Sequence, residues 1–212
     1  MSTVIVKTED CINALTTNGF EVFFANTPNA AKEIFFNQIL PNLPTKTMSW
    51  GDSMTLDSTG VLTELQNDKS INTIKTFEAG VARSEIIERR RQALLSDLFL
   101  TGSNAITECG KLVNLDMIGN RIGGISFGPK NVVIFAGTNK IVPNIESAFK
   151  RIRNISAPLN AKRHLLETPC VKTGKCHDCN SPQRICNSWS IIDKCYPKKR
   201  IKIVLIDEAL GL

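Results

Sequence analysis

The chain has 212 residues, 42% of them hydrophobic and 22% charged, with a formal charge of +6. This is an ordinary composition for a soluble globular protein, and the length can bury a real core, so disulfides are not needed for stability. No stretch approaches the roughly 18 consecutive apolar residues of a membrane span, and the early acids of "MSTVIVKTEDCINALTTNGF" argue against a secretory leader.

Residues 8–18 and 29–40 read as helices, the second ("NAAKEIFFNQIL") with apolar residues at helical spacing up to Pro41. "KTMSW" reads as a strand entering a glycine turn, "GDSMT", followed by a short helix, "GVLTELQN". "INTIKTF" reads as a strand. "SEIIERRRQALLSD" reads as a helix with Ser84 as its cap and Ile86, Ile87, Leu94 and Leu95 at roughly helical intervals. "LFLTG", "KLVNLD" and "NVVIFAG" are apolar runs bounded by turn residues, hence strands; "NIESAFKRIRNI" is a helix and "IKIVLI" a buried strand. Strands alternating with helices, and continuous runs such as "VVIFA", predict one α/β domain over residues 1–212 with a mostly parallel sheet covered on both faces.

The charge is uneven. Residues 162–202 hold ten Lys or Arg against three acids, so the basic character gathers around the cysteines. Four of the seven cysteines follow the spacing Cys170-x5-Cys176-x2-Cys179-x6-Cys186, in a lobe at about 165–199 inserted before the last strand. A Cys-x2-Cys knuckle converges two sulfurs on one metal, and a second pair completes four ligands. In a reducing, cytoplasmic setting such a cluster reads as a metal site rather than a disulfide framework. The spacing matches neither the bacterial ferredoxin run nor a zinc ribbon with two knuckles, so a [4Fe–4S] cluster, zinc and thiols that hold no metal all stay open. Basic residues nearby offset the thiolate charge, form a solvated face or bind nucleic acid. The last is weakened by scarce aromatics, Trp189 and Tyr196 only. Cys195 is either a spare thiol or a substitute ligand, while Cys11 and Cys109 read as plain apolar side chains.

Two further stretches carry possible chemistry. In "WGDSMT" a strand ends in Gly-x-Ser-x-Thr, where outward N–H groups and small hydroxyls admit an anion, or where Ser53 or Thr55 merely caps a helix. In "TGSNAITECGKLV" two glycines flank Glu108, which is either a nucleophile or base, or a solvated carboxylate on a hairpin. With only His164 and His177 present, histidine acid–base chemistry is not expected.

Taken together and in order, "SWGDSMTL", "GVARSEIIERRRQALLSDLFLTGSNAITECGKLVNLD", "NVVIFAGTNKIV", "PCVKTGKCHDCNSPQRICN" and "IKIVLIDEALGL" resemble the LUD-domain lactate-utilization (YkgG-like) family. The resemblance covers nearly the whole chain. It implies a NagB/RpiA/CoA-transferase-like three-layer α/β sandwich. It also implies an anion loop at Gly51, Ser53 and Thr55, with Gly102 and Asn104 on the same face. Asp52 sits awkwardly in such a loop, because a carboxylate repels an anion. The resemblance raises the iron–sulfur reading for Cys170, Cys176, Cys179 and Cys186. The expected function is then a cytoplasmic redox component of organic-acid metabolism, taking a small anionic metabolite and a redox protein partner. The alternative is a transferase- or isomerase-like enzyme with Glu108 as nucleophile or base and a structural zinc.

Overall fold

The computed structural model describes residues 8–212. The first seven residues of the expected domain, and with them the start of the leader reading, lie outside the described residues. The elements in order are α1 (Thr8–Thr17), β1 (Glu21–Ala25), α2 (Pro28–Ile34), β2 (Thr47–Trp50), α3 (Met54–Thr59), α4 (Val61–Asn67), β3 (Asn72–Thr73), α5 (Arg83–Ala93), β4 (Leu98–Gly102) and β5 (Ala105–Thr107). They continue with β6 (Leu112–Asp116), α6 (Asn120–Ser126), β7 (Asn131–Gly137), β8 (Ile141–Val142), α7 (Ile145–Arg151), α8 (Ala157–Arg163), α9 (Pro169–Thr173), β9 (Ser188–Ile192) and β10 (Ile201–Ile206).

Six strands form a parallel sheet in the order β1-β10-β7-β4-β2-β3. Its central strands are apolar on both faces because each face is covered. Leu98, Leu100, Val133, Phe135, Val204 and Ile206 pack against Ala31 and Phe35 on one side and Leu56, Val61 and Leu65 beyond. The intervening residues, Phe99, Val132, Ile134, Ala136, Ile203 and Leu205, meet Cys11 and Leu15 of α1 and Ile125 of α6 on the other. Successive residues of a strand point to opposite faces, so each run supplies both cores. The α/β fold with a mostly parallel sheet and helices on both sides therefore stands as expected.

A second sheet, β8-β5-β6-β9, lies over the α1 and α6 side. Ile106 and Leu112 face the central sheet, while Ala105, Val113 and Leu115 face Ala148 and Ile152 of α7 and the wide turn that continues it. Its outer strand β9 belongs to the stretch expected as a cysteine lobe, and pairs antiparallel with β6 from Leu112↔Ile192 to Asp116↔Ser188. After it, Cys195 N–H donates to Asn18 O at 2.8 Å and Lys199 N–H to Gly19 O at 2.7 Å. So the second half of that stretch is built into the body, and the protruding part is the loop before β9.

Three local expectations shift. "INTIKTF" pairs only at Asn72 and Thr73, because the Thr76 hydroxyl, not a backbone N–H, donates to Trp50 O at 3.0 Å. Ser84 does not cap α5, whose preceding residue Ala82 makes no side-chain bond. Leu95 lies past the helix and is 85% exposed. Charge rather than an apolar stripe fastens this helix: Arg89 pairs with Glu78 and Glu85.

The turn holding Glu108 packs on α1. Gly110 has a φ of +75°, and a Cβ there would stand 2.6 Å from the Leu15 backbone nitrogen. Both a left-handed conformation and a backbone-to-backbone approach demand glycine. Gly110→Ala is expected to cost about 2–4 kcal/mol, read as a fall of roughly 5–15 °C in Tm by thermal unfolding.

Candidate anion cavity and cysteine pocket

Beyond the C-terminal ends of β2 and β4, where ligands of open parallel sheets sit, lies a cavity of about 550 Å³. Two glycines let its walls meet. A Cβ on Gly51 would be 2.8 Å from Thr101 Oγ1, and one on Gly102 would be 2.5 Å from Ser53 Oγ. Ser53 caps α3, its Oγ accepting from Leu56 N–H at 3.2 Å.

The expected anion-loop residues divide. Ser53, Gly102 and Asn104 line the cavity, whereas Gly51 and Thr55 stand behind its wall. Thr55 is buried; its hydroxyl donates to Leu210 O at 3.2 Å and accepts from Lys140 Nζ at 3.0 Å. The segment after β10 thus folds back beneath the cavity, and Leu212 reaches its lining. Asn104 Oδ1 accepts from Arg121 Nη2 at 2.6 Å and Leu115 N–H at 3.0 Å.

The cavity is cationic. Arg83, Arg90, Arg121, Lys140 and Arg163 line it, against the carboxylates Asp52 and Asp116. Arg121 is fully engaged: with Asp116 Oδ1 at 3.1 Å, Gly102 O at 3.1 Å, Asn114 Oδ1 at 2.8 Å, Asn104 and Leu115 O at 2.9 Å. It organises the β4–β5 turn and has no donor left for a ligand. Asp52, the awkward carboxylate of the loop, is held by Arg163 Nη2 and by His164 Nε2 at 3.2 Å. That pairing removes the repulsion a bare carboxylate would impose.

Arg90 is different. Its Nε is buried without a hydrogen-bond partner, and its guanidinium stands 5.0 Å from the Phe77 ring centroid. Phe77 in turn leans on Trp50 at 6.2 Å. Burial, then the charge of Arg83, lowers the Arg90 pKa. Lys140 follows β7 in the turn Thr138–Lys140 and is 4% exposed. Burial pushes its pKa down to about 7, with Arg151 and Arg121 adding to the effect. Neither Arg90, Lys140 nor the adjacent Arg163 and His164 stand out in the sequence, since they come from three separate elements with no shared spacing.

Glu108 does not line this cavity. It sits in the β5–β6 turn, its N–H donating to Val142 O at 2.8 Å. Its neighbour Cys11 is inert: burial, then Glu108 and Cys109, push that thiol up to about 12.

Cys170, Cys176, Cys179 and Cys186 line one small pocket with Arg153, Arg184 and Trp189. Asp178 N–H donates to Cys176 Sγ at 3.4 Å, the backbone-to-sulfur bond that a Cys-x2-Cys turn can make to its first thiolate. Asp178 takes a φ of +46° to allow it. Arg184 ties the loop, donating to Cys179 O at 2.6 Å, Cys186 O at 3.0 Å and Asp178 Oδ1 at 2.8 Å. Burial raises the Cys186 pKa, Arg184 opposes, and the other three thiols raise it further. No cysteine is in a disulfide. Among the described residues no three His, Cys, Asp or Glu side chains are gathered to hold a metal ion. Cys195 stands apart, buried in the core beside α1 with Ile201 N–H on its sulfur at 3.3 Å. His177 is exposed and bonded to Thr173 Oγ1 at 2.6 Å.

The two pockets are neighbours. Ala157 lines both, and Pro182, Gln183 and Ile185 of the cysteine loop form part of the cavity wall.

A mostly parallel sheet with helices on both sides and a basic cavity past its strand ends defines an α/β domain of the open-sheet class. The chain belongs to the LUD domain family, whose model matches residues 8–206, a family linked to lactate utilization. The fold is similar to the crystal structure of a DUF162 family protein from Deinococcus radiodurans, with a TM-score of 0.51 and 10% identity, over 94% of this chain and 95% of that one. No curated protein matches. Among the described residues no helix is long and apolar enough to cross a membrane.

Proposed function

We propose that this protein is an iron–sulfur redox component of organic-acid metabolism. It binds a small carboxylate metabolite of the lactate type in the basic cavity and exchanges electrons through a [4Fe–4S] cluster held by Cys170, Cys176, Cys179 and Cys186. The observation carrying this reading is the shared wall: Ala157 and the Pro182–Ile185 segment lie between the thiols and the cavity. A redox centre and its substrate work best when separated by a side chain or two.

The donor set fits such a cluster in kind and number: four thiols lining one pocket, no disulfide, and two arginines to offset thiolate charge. Among the described residues the four thiols line one pocket but are not gathered about a common centre, so loading would require them to draw together. When bound, the cluster supplies one-electron chemistry. The chain's own residues bind the acid through Arg90 and hold Asp52 neutralised. No geometry brings Glu108 to this site, so the transferase-type alternative gains no support from that residue.

Anaerobic purification with metal and sulfide analysis tests the reading. Roughly four irons and four sulfides per chain, with a broad visible absorption, are expected. One zinc per chain without sulfide would overturn the electron-transfer part and leave the cavity to explain.

A further inference from the structure

We propose that Lys140 is an amine nucleophile that captures the carbonyl carbon of a 2-oxo acid as an imine inside the cavity; this rests on the cavity being a carboxylate site. Lys140 lines the cavity yet is buried, and its Nζ has a single hydrogen-bond partner, the Thr55 hydroxyl at 3.0 Å. Thr55 passes its own hydrogen to Leu210 O, so its oxygen can only accept from the amine and fixes where Nζ points. Among the described residues no carboxylate pairs with Lys140, and its charged neighbours are the cations Arg121 and Arg151. A buried lysine beside cations and without a counter-ion is the arrangement that releases a neutral, nucleophilic amine.

A 2-oxo acid offers a carboxylate for the cations that line the cavity and a carbonyl for the amine. It is also the oxidised member of a 2-hydroxy acid couple. In the first step the Nζ lone pair forms the C–N bond, and the carbonyl oxygen takes a proton from the nitrogen. In the second the resulting carbinolamine loses that oxygen as water together with the second N–H hydrogen, leaving C=N. No electrons enter or leave, and no further reactant is needed.

Anaerobically purified full-length protein is incubated with pyruvate and cyanoborohydride, then analysed by intact mass and peptide mapping. One reduced adduct per chain, mapped to Lys140, is expected, with none from L-lactate, which has no carbonyl. Lys140→Arg is expected to lose the adduct. If pyruvate binds but Lys140 carries no adduct, or the label spreads over surface lysines, Lys140 is only a counter-charge and the inference fails while the carboxylate site stands. If neither pyruvate nor L-lactate binds, the site and the imine fall together. Mapping on the unaltered chain decides the matter even where Lys140→Arg does not fold.

Discussion

Cys176→Ser is expected to abolish cluster loading: iron falls from roughly four per chain to a small fraction of one, and the visible absorption disappears. Cys176 is the first residue of the knuckle and the sulfur that accepts Asp178 N–H. A serine oxygen is a poor ligand for an iron–sulfur core and a shorter one, so the remaining three thiols would be left to hold a cluster that takes four. Cys195→Ser is the paired control. That thiol is buried away from the loop and packs in the core beside α1, so its replacement is expected to lower Tm by a few degrees and to leave iron untouched. Equal iron loss in both variants would mean that iron is retained by general folding, not by this loop. Full iron in Cys176→Ser would remove that residue from the ligand set.

Arg90→Met is expected to weaken pyruvate and L-lactate binding by about 10- to 100-fold, as loss of a charge-assisted hydrogen bond of about 1.5–3 kcal/mol would. Methionine keeps a flexible apolar stem on the Phe77 ring, so the fold is expected to hold. Arg90→Lys is expected to recover only part of the affinity. A lysine restores the charge but not the planar fork that a carboxylate accepts. Calorimetry at fixed ionic strength reads both variants. Unchanged affinity in Arg90→Met would mean that the buried, unpartnered Nε has no part in ligand capture.

The residues that made this fold readable are those whose pattern is local. β4, β7 and β10 are buried on both faces, and double burial leaves the continuous apolar runs that mark them. The gathering of four cysteines at one pocket is equally legible, because their spacing is a property of one short segment. β9 is not. "SWSII" is half-buried at the rim of the small sheet, so its pattern says little until β6 is placed beside it. β1 escapes for the same reason, being a sheet edge with Phe24 42% exposed.

The cavity is the least legible part. Its cations come from α5, α6, the turn after β7 and the end of α8, brought together only by the packed sheet. The basic stretch at 162–202 drew attention to the cysteines, yet most cavity cations lie before it. Asp52 looked wrong in isolation because Arg163, its partner, is 111 residues away. Thr55 did lie near the site, but one layer behind it, where its role is to hold an amine rather than a ligand.

The return of the chain beneath the cavity has a practical side. Leu210 accepts from Thr55, and Leu212 reaches the cavity lining. Whatever peptide follows Leu212, including an affinity handle added for purification, starts out at the ligand's doorstep. A handle fused there would compete for the entrance or displace the segment that positions Thr55 and Lys140, and a binding assay on such a fusion would report a weak or empty site in a protein whose own site is intact.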